Sequence, residues 1–236
     1  DEDDDQRGAV YMWRDYEFIG RLQAHDAQPG DRLGAAVAIG GLARGEASLI
    51  AAGAPHRRGS GAVVVFDTEG DIKADFGMGS IGDGFGSSVA VEDTTIIIGA
   101  PGNDAKGSNA GAAYAFDCPA NANCTGRELI ADPLEAGDWF GTSVAIEGGT
   151  VVIGARAWGS GSGSAYVFLD TLAPTPQPTH LPTQRTSSWP QLAKMVAGDA
   201  AAGDYFGRSV AAAGDLVAVG AYGNDDGAMN SGSVYI

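Results

Sequence analysis

The chain has 236 residues, of which 37 are glycine and 44% hydrophobic; no Gly-X-Y period runs through it, so it is neither collagen-like nor disordered. Thirty acids against 14 Lys and Arg give a net charge of −16. That charge opposes binding to nucleic acid or to an anionic membrane, and no apolar run approaches the ~18 residues of a membrane helix.

The N-terminus, Asp1 to Asp5, is acidic and has no signal-peptide pattern. The first strand-like segment follows at Gly8-Ala9-Val10-Tyr11-Met12-Trp13: glycine, a small residue, then an apolar run. The same pattern returns at 61–66, 111–116, 163–168 and 232–236. Gly8 to Gly232 spans 224 residues, four periods of 56.

Two further motifs precede each of these returns. One is Gly-Asp-x-(Phe/Leu)-Gly, at 30–34, 82–86, 137–141 and 203–207. The other begins Gly-Ala: Gly53-Ala54-Pro55, Gly99-Ala100-Pro101, Gly154-Ala155-Arg156 and Gly220-Ala221-Tyr222. Each unit reads as four strands. In the second unit they are Ser88–Val91, Thr95–Ile98, Ala113–Phe116 and the weaker Arg127–Ala131; the fourth strand of the third unit is Gln191–Val196. Four strands per repeat of 40–60 residues is the pattern of a β-propeller blade, and β-solenoid coils are usually shorter. The expected fold is therefore all-β, a β-propeller of four-stranded blades.

Phe-Gly followed 14 residues later by Gly-Ala-Pro, as from Phe85 to Gly99, resembles the FG-GAP repeat. The resemblance implies blades of the seven-bladed propeller found in integrin α chains and many secreted or surface proteins. It implies an arc here, because seven such blades need about 390 residues. The expected division is the last two strands of a blade (1–29), whole blades at 30–81, 82–136 and 137–202, and three strands of another (203–236), within a longer polypeptide. The first repeat has Leu33 for Phe, and Arg156 and Tyr222 replace the proline in the last two.

The repeated residues read as scaffold. Asp31, Asp83, Asp138 and Asp204 can accept hydrogen bonds from nearby backbone N–H groups in a turn. Leu33, Phe85, Phe140 and Phe206 are placed to pack between blades.

Some repeats of the resembling family carry an Asp-rich calcium loop between their first two strands. Here those connections are the short turns Glu92-Asp93-Thr94, Glu147-Gly148-Gly149 and Ala213-Gly214-Asp215, which hold too few carboxylates. The longer loop of the first repeat, Gly40 to Glu46, has one acid and an Arg. No cofactor is expected. Acids before the third strands (Asp1 to Asp5, Asp104, Asp225 and Asp226) read as a solvated rim, with weak cation binding there as the sharper alternative.

Cys118 and Cys124 flank a short loop suited to a local disulfide, which implies an oxidising compartment. Asn123-Cys124-Thr125 is an N-glycosylation sequon. Residues 170–191 are rich in Pro and Thr; they read as an extended insert, with Thr175, Thr179 and Thr183 as O-glycosylation candidates. These signals and the resemblance point to a secreted or cell-surface protein.

Nothing marks an enzyme. His25, His56 and His180 are far apart in sequence, and Gly159-Ser160-Gly161-Ser162-Gly163 lacks the following helix of a nucleophile elbow. The expected function is a non-catalytic extracellular binding or adhesion module that engages protein or glycan through blade loops. Two alternatives are a structural subunit of an extracellular fibre, sheath or appendage, associating with neighbouring subunits, and an accessory propeller of a larger secreted enzyme. Candidate contact residues are those that break the repeat: Arg156, Trp158, Tyr222 and the basic run His56, Arg57, Arg58.

Overall fold

The computed structural model describes residues 6–41, 48–119, 123–157, 161–170, 189–228 and 231–236. Among these residues, seventeen strands form five antiparallel sheets in chain order, and they do not close into a ring. The first sheet has two strands, β1 (Val10–Arg14) and β2 (Glu17–Leu22). The second is β3 (Ala36–Gly40), β4 (Leu49–Ala54), β5 (Ala62–Phe66) and β6 (Ile72–Phe76). The third is β7 (Ser88–Glu92), β8 (Thr95–Ala100), β9 (Ala112–Asp117) and β10 (Thr125–Glu128). The fourth is β11 (Phe140–Glu147), β12 (Thr150–Ala155), β13 (Ser164–Leu169) and β14 (Gln191–Met195). The last is β15 (Phe206–Ala213), β16 (Leu216–Ala221) and β17 (Ser233–Tyr235).

The strand alternation explains why the second and third strands are apolar throughout. Side chains of a strand point to opposite faces with period 2, and here both faces of each middle sheet meet a neighbour. Ile96 and Ile98 of β8 pack with Val63, Val65 and Phe85, while Ile97 turns the other way onto Val151, Ile153 and Phe140. In β9 the large residues Tyr114 and Phe116 face the preceding sheet, and Ala113 and Ala115 face the following one. Large on one face and small on the other lets successive sheets nest.

β10 begins two residues before the segment that its hydrophobicity suggests. Gly126 pairs with Phe116, whose ring lies where a Cβ of residue 126 would stand, so glycine is what admits the fourth strand there.

Adjacent sheets meet backbone to backbone. The glycine that opens each third strand forms a parallel bridge with the motif Phe or Leu of the next repeat: Gly8 with Leu33, Gly61 with Phe85, Gly111 with Phe140, Gly163 with Phe206. At Gly111, φ is +86° and a Cβ would run into the Phe140 carbonyl and amide, so two independent constraints demand glycine. Beside this bridge, Gly53, Gly99 and Gly154 lie against the carbonyl of the next repeat's motif glycine, at Gly86, Gly141 and Gly207. Ser88 and Ser143 each donate their hydroxyl to that same carbonyl, at 2.8 and 2.9 Å. Glu92 at the end of β7 adds a contact one repeat on, accepting the Gly148 and Gly149 N–H groups at 2.5 and 3.0 Å.

The bridge buries the motif ring. Phe85 and Phe140 are 0% exposed, Phe206 and Leu33 3%. Phe140 meets Tyr166 edge-on with centroids 5.3 Å apart, and Phe206 meets Tyr235 in the same way at 5.3 Å. Phe140→Ala is expected to lose about 3–5 kcal/mol in urea unfolding; a loss below about 1 kcal/mol would show that the ring contributes little packing. The first repeat has Ala36 where the next two have Ser88 and Ser143. Ala36→Ser should therefore gain a hydrogen bond to the Gly86 carbonyl and raise unfolding free energy by about 0.5–1.5 kcal/mol.

Candidate surface site

The inter-sheet bridges fix the conformation of the residue before each Phe or Leu. Arg32, Gly84, Trp139 and Tyr205 all take left-handed backbone, with φ of 58°, 67°, 58° and 56°. Three of the four carry side chains, in a region that such residues seldom adopt. Two hydrogen-bond devices hold the turn. The motif Asp accepts the N–H three residues earlier, with Gln28, Ser80, Glu135 and Ala201 each donating at 2.8 Å. The carbonyl of the left-handed residue accepts the N–H three residues later, at 3.0–3.1 Å in every repeat.

In the third and fourth repeats the left-handed residue meets the residue that follows Gly-Ala, and in the first it meets the residue after that. The Arg156 guanidinium lies over the Trp139 ring, 4.7 Å from its centroid. Tyr205 and Tyr222 stack at 5.0 Å with planes 6° apart. In the first repeat, Arg32 Nη1 approaches His56 Nε2 at 3.5 Å, His56 following Pro55. Burial lowers the Arg156 pKa, and nearby Arg208 lowers it further. Arg156 and Trp139 are half-buried, and Tyr222 is 56% exposed. The structure thus brings Arg156 and Tyr222 into equivalent places beside Trp139 and Tyr205, and sets His56, one position further along its repeat, beside Arg32. Sequence reasoning missed Trp139, Tyr205 and Arg32; their signal is the one position of the five-residue motif that varies from Gly to Trp. Trp158 lies outside the described residues, as do Thr175, Thr179, Thr183 and Asp1 to Asp5.

Arg57 is not an exposed contact residue, contrary to the expectation from its basic neighbours. Its side chain is 2% exposed and surrounded by carboxylates. Nη1 and Nη2 donate to the two oxygens of Asp75 at 2.7 and 2.8 Å, Nη2 also reaches Asp26, and Nε lies 3.7 Å from Asp31. A buried guanidinium is tolerated because three acids from two chain segments, the β2–β3 connection and β6, converge on it. Arg58 remains 47% exposed, 3.2 Å from Asp75. Asn103 takes the equivalent place in the second repeat, buried and donating to Asp83 at 2.6 Å.

On the acidic loops, Asp104 accepts the Asn109 N–H at 2.7 Å, and Asp225 and Asp226 are exposed. Among the described residues no group of His, Cys, Asp and Glu is arranged to hold a metal ion. Cys118 and Cys124 are disulfide-bonded with Cα atoms 4.1 Å apart, and Asn123 beside them is exposed.

Arg57→Ala should cost about 2–4 kcal/mol in thermal or urea unfolding, because it empties the space of a wholly buried side chain and removes the cation facing buried Asp31 and partly buried Asp75. The more exposed Arg58→Ala should cost less than about 1 kcal/mol. The Arg57 hydrogen bond holds the Asp26 carboxyl below its ordinary 3.8. A lowered folded-state pKa means that this contribution is complete above the ordinary value and is lost as pH falls through the folded one. Asp26→Asn should therefore flatten the stability profile below about pH 4.

No curated protein matches the chain. Three segments, residues 79–116, 127–168 and 189–236, match the FG-GAP repeat, together more than half of the sequence. The first repeat, with Leu33 in the Phe place, lies outside those segments but forms the same bridge and the same capped turn. On the matched segments and the shared devices that build its sheets, the chain belongs to the FG-GAP repeat family.

Proposed function

We propose that the chain is a non-catalytic extracellular binding or adhesion module that engages a protein or glycan partner through the loops carrying the paired crest residues. One observation carries this reading. The repeats hold their scaffold residues constant, and the places where they differ in size and charge coincide with the crest pairs: Arg32 with His56, Trp139 with Arg156, Tyr205 with Tyr222. Variable, partly exposed Arg, Trp and Tyr on an otherwise uniform frame is the composition of a contact surface. Stacking restrains Trp139 with Arg156 and Tyr205 with Tyr222 in advance, which lowers the entropy cost of binding. The Cys118–Cys124 disulfide supports an oxidising, extracellular setting, and Asn123 is exposed where an N-glycan could be carried.

A second surface favours the structural-subunit reading. Tyr11, Trp13 and Phe18 cluster on the first sheet at 52%, 61% and 58% exposure, and an apolar patch of this kind suits association between subunits. Sedimentation and electron microscopy of the purified chain separate the two readings: a monomer favours the first, and ordered polymers that Trp13→Ser abolishes favour the second.

The binding reading is tested by screening the immobilised chain against glycan and extracellular-protein panels, then repeating every hit with variants. Tyr222→Ala and Arg156→Ala should each weaken the captured partner about tenfold or more, while Leu192→Ala on β14 should leave it unchanged. Hits indifferent to both crest substitutions would move the contact surface elsewhere.

A further inference from the structure

The crest pairs leave one repeat unfilled. The second repeat has Gly84 at the left-handed position, Pro101 after Gly-Ala and Gly102 where the first repeat has His56, so it has no pair of its own. There a notch of about 450 Å³ stays open. Gly84 and Pro101 line it, together with Pro55 and His56 from the first repeat and Asn109 and Trp139 on the side of the third.

We propose that this notch receives an aromatic side chain (Tyr, Trp or Phe) from a partner protein; the proposal rests on the reading that the crest loops are the contact face. The other repeats supply the first argument. The third and fourth repeats place planar groups on the same two motif positions, indole with guanidinium and phenol with phenol, and the first sets the Arg32 guanidinium against the His56 imidazole one position further on. In three repeats the chain itself thus sets a flat group against the left-handed residue, and among the described residues the second repeat, with Gly84, Pro101 and Gly102, provides none.

Chemistry of the walls selects the kind of flat group. Pro55, Pro101 and Trp139 offer apolar surface. The polar side chains on the lining are already engaged: the Ser87 hydroxyl donates to the Gly84 carbonyl at 2.6 Å, the Asn109 amide contacts Ser108 at 3.4 Å, and His56 Nε2 lies 3.5 Å from Arg32. A sugar ring would bury hydroxyls with few partners, which is costly. Charge disfavours an arginine or lysine. Arg32 stands against His56 on one wall and Arg156 against Trp139 on the other, so an added cation would approach like charges. The electron-rich face of an aromatic ring is instead attracted by them. The volume lies in the lower part of the range for small-ligand sites, about 300–1,000 Å³, and suits one ring side chain with its backbone.

The test is ¹⁵N-edited NMR of the full chain titrated with N-acetyl-L-tyrosinamide, with N-acetyl-L-argininamide and methyl β-D-galactopyranoside as parallel probes. Saturable shifts of the Gly82, Gly84 and Gly102 amides with the tyrosine probe alone are expected. Gly84→Tyr should abolish them, since it gives the second repeat the residue that Tyr205 supplies in the fourth at nearly the same φ. Unchanged melting temperature and unchanged distant amides would show that this variant folds. Pro101→Arg, which installs the residue of the third repeat, is an independent second block. Absence of saturable shifts, persistence of the shifts in folded Gly84→Tyr, or saturation by the arginine or galactoside probe instead would each overturn the proposal. Its failure is separable from that of the wider reading: partner binding that still depends on Tyr222 and Arg156 would leave the face intact and remove only the notch.

Discussion

Successive sheets touch through their backbones, and the rest of the structure follows from that contact. At each of the four junctions a glycine of one sheet bridges the Phe or Leu of the next, and at three of them a second glycine lies against the neighbouring carbonyl. No side chain fits between them. The junction therefore draws the sheets close enough for Ile96 and Ile98 to reach Val63 and Val65, and for Phe85 to be wholly enclosed. Glycine carries an entropic cost in strands, and here the dry, densely packed clusters between sheets offset it. The abundance of glycine noted in the composition is the signature of these junctions, repeated once per unit.

The sequence revealed the parts that repeat. Motif spacing located the four units and their inner strands, because hydrophobic runs bounded by glycine recur at fixed intervals. It was weaker at the outer strands, where the signal is diluted by exposure: β10 starts at Thr125, and its pairing depends on a single glycine opposite Phe116. It misplaced Arg57. Nothing local marks that residue as interior, since the carboxylates that receive it come from positions 26, 31 and 75 and meet only after folding. The crest pairs were half legible. The residues after Gly-Ala were conspicuous as departures from proline, but their partners were hidden in a motif position that looks like an arbitrary spacer.

Two kinds of polar group are thereby separated in space and in role. Asp31, Asp83, Asp138 and Asp204 spend their lone pairs on backbone N–H groups at the turns, and Arg57 and Asn103 brace two of those turns from inside. Such groups are satisfied locally and are poorly placed to meet a partner. The crest residues stand outside this network. Trp139 with Arg156 and Tyr205 with Tyr222 are held by stacking, which fixes orientation while leaving edges and faces in solvent. An acidic protein can in this way carry most of its charge on loops and rims and still present a contact face of mixed aromatic and basic character.

The left-handed turn has a consequence for how such a protein can be altered. Its geometry is enforced by the Asp cap and by the turn hydrogen bonds on either side, and it accommodates arginine, glycine, tryptophan and tyrosine with φ varying only between 56° and 67°. Shape and identity are thus uncoupled at that point. The crest behaves as a row of sockets, one per repeat, into which different side chains can be fitted without retuning the interior. A library randomised at these positions and at their stacking partners would sample recognition surfaces on an unchanged frame.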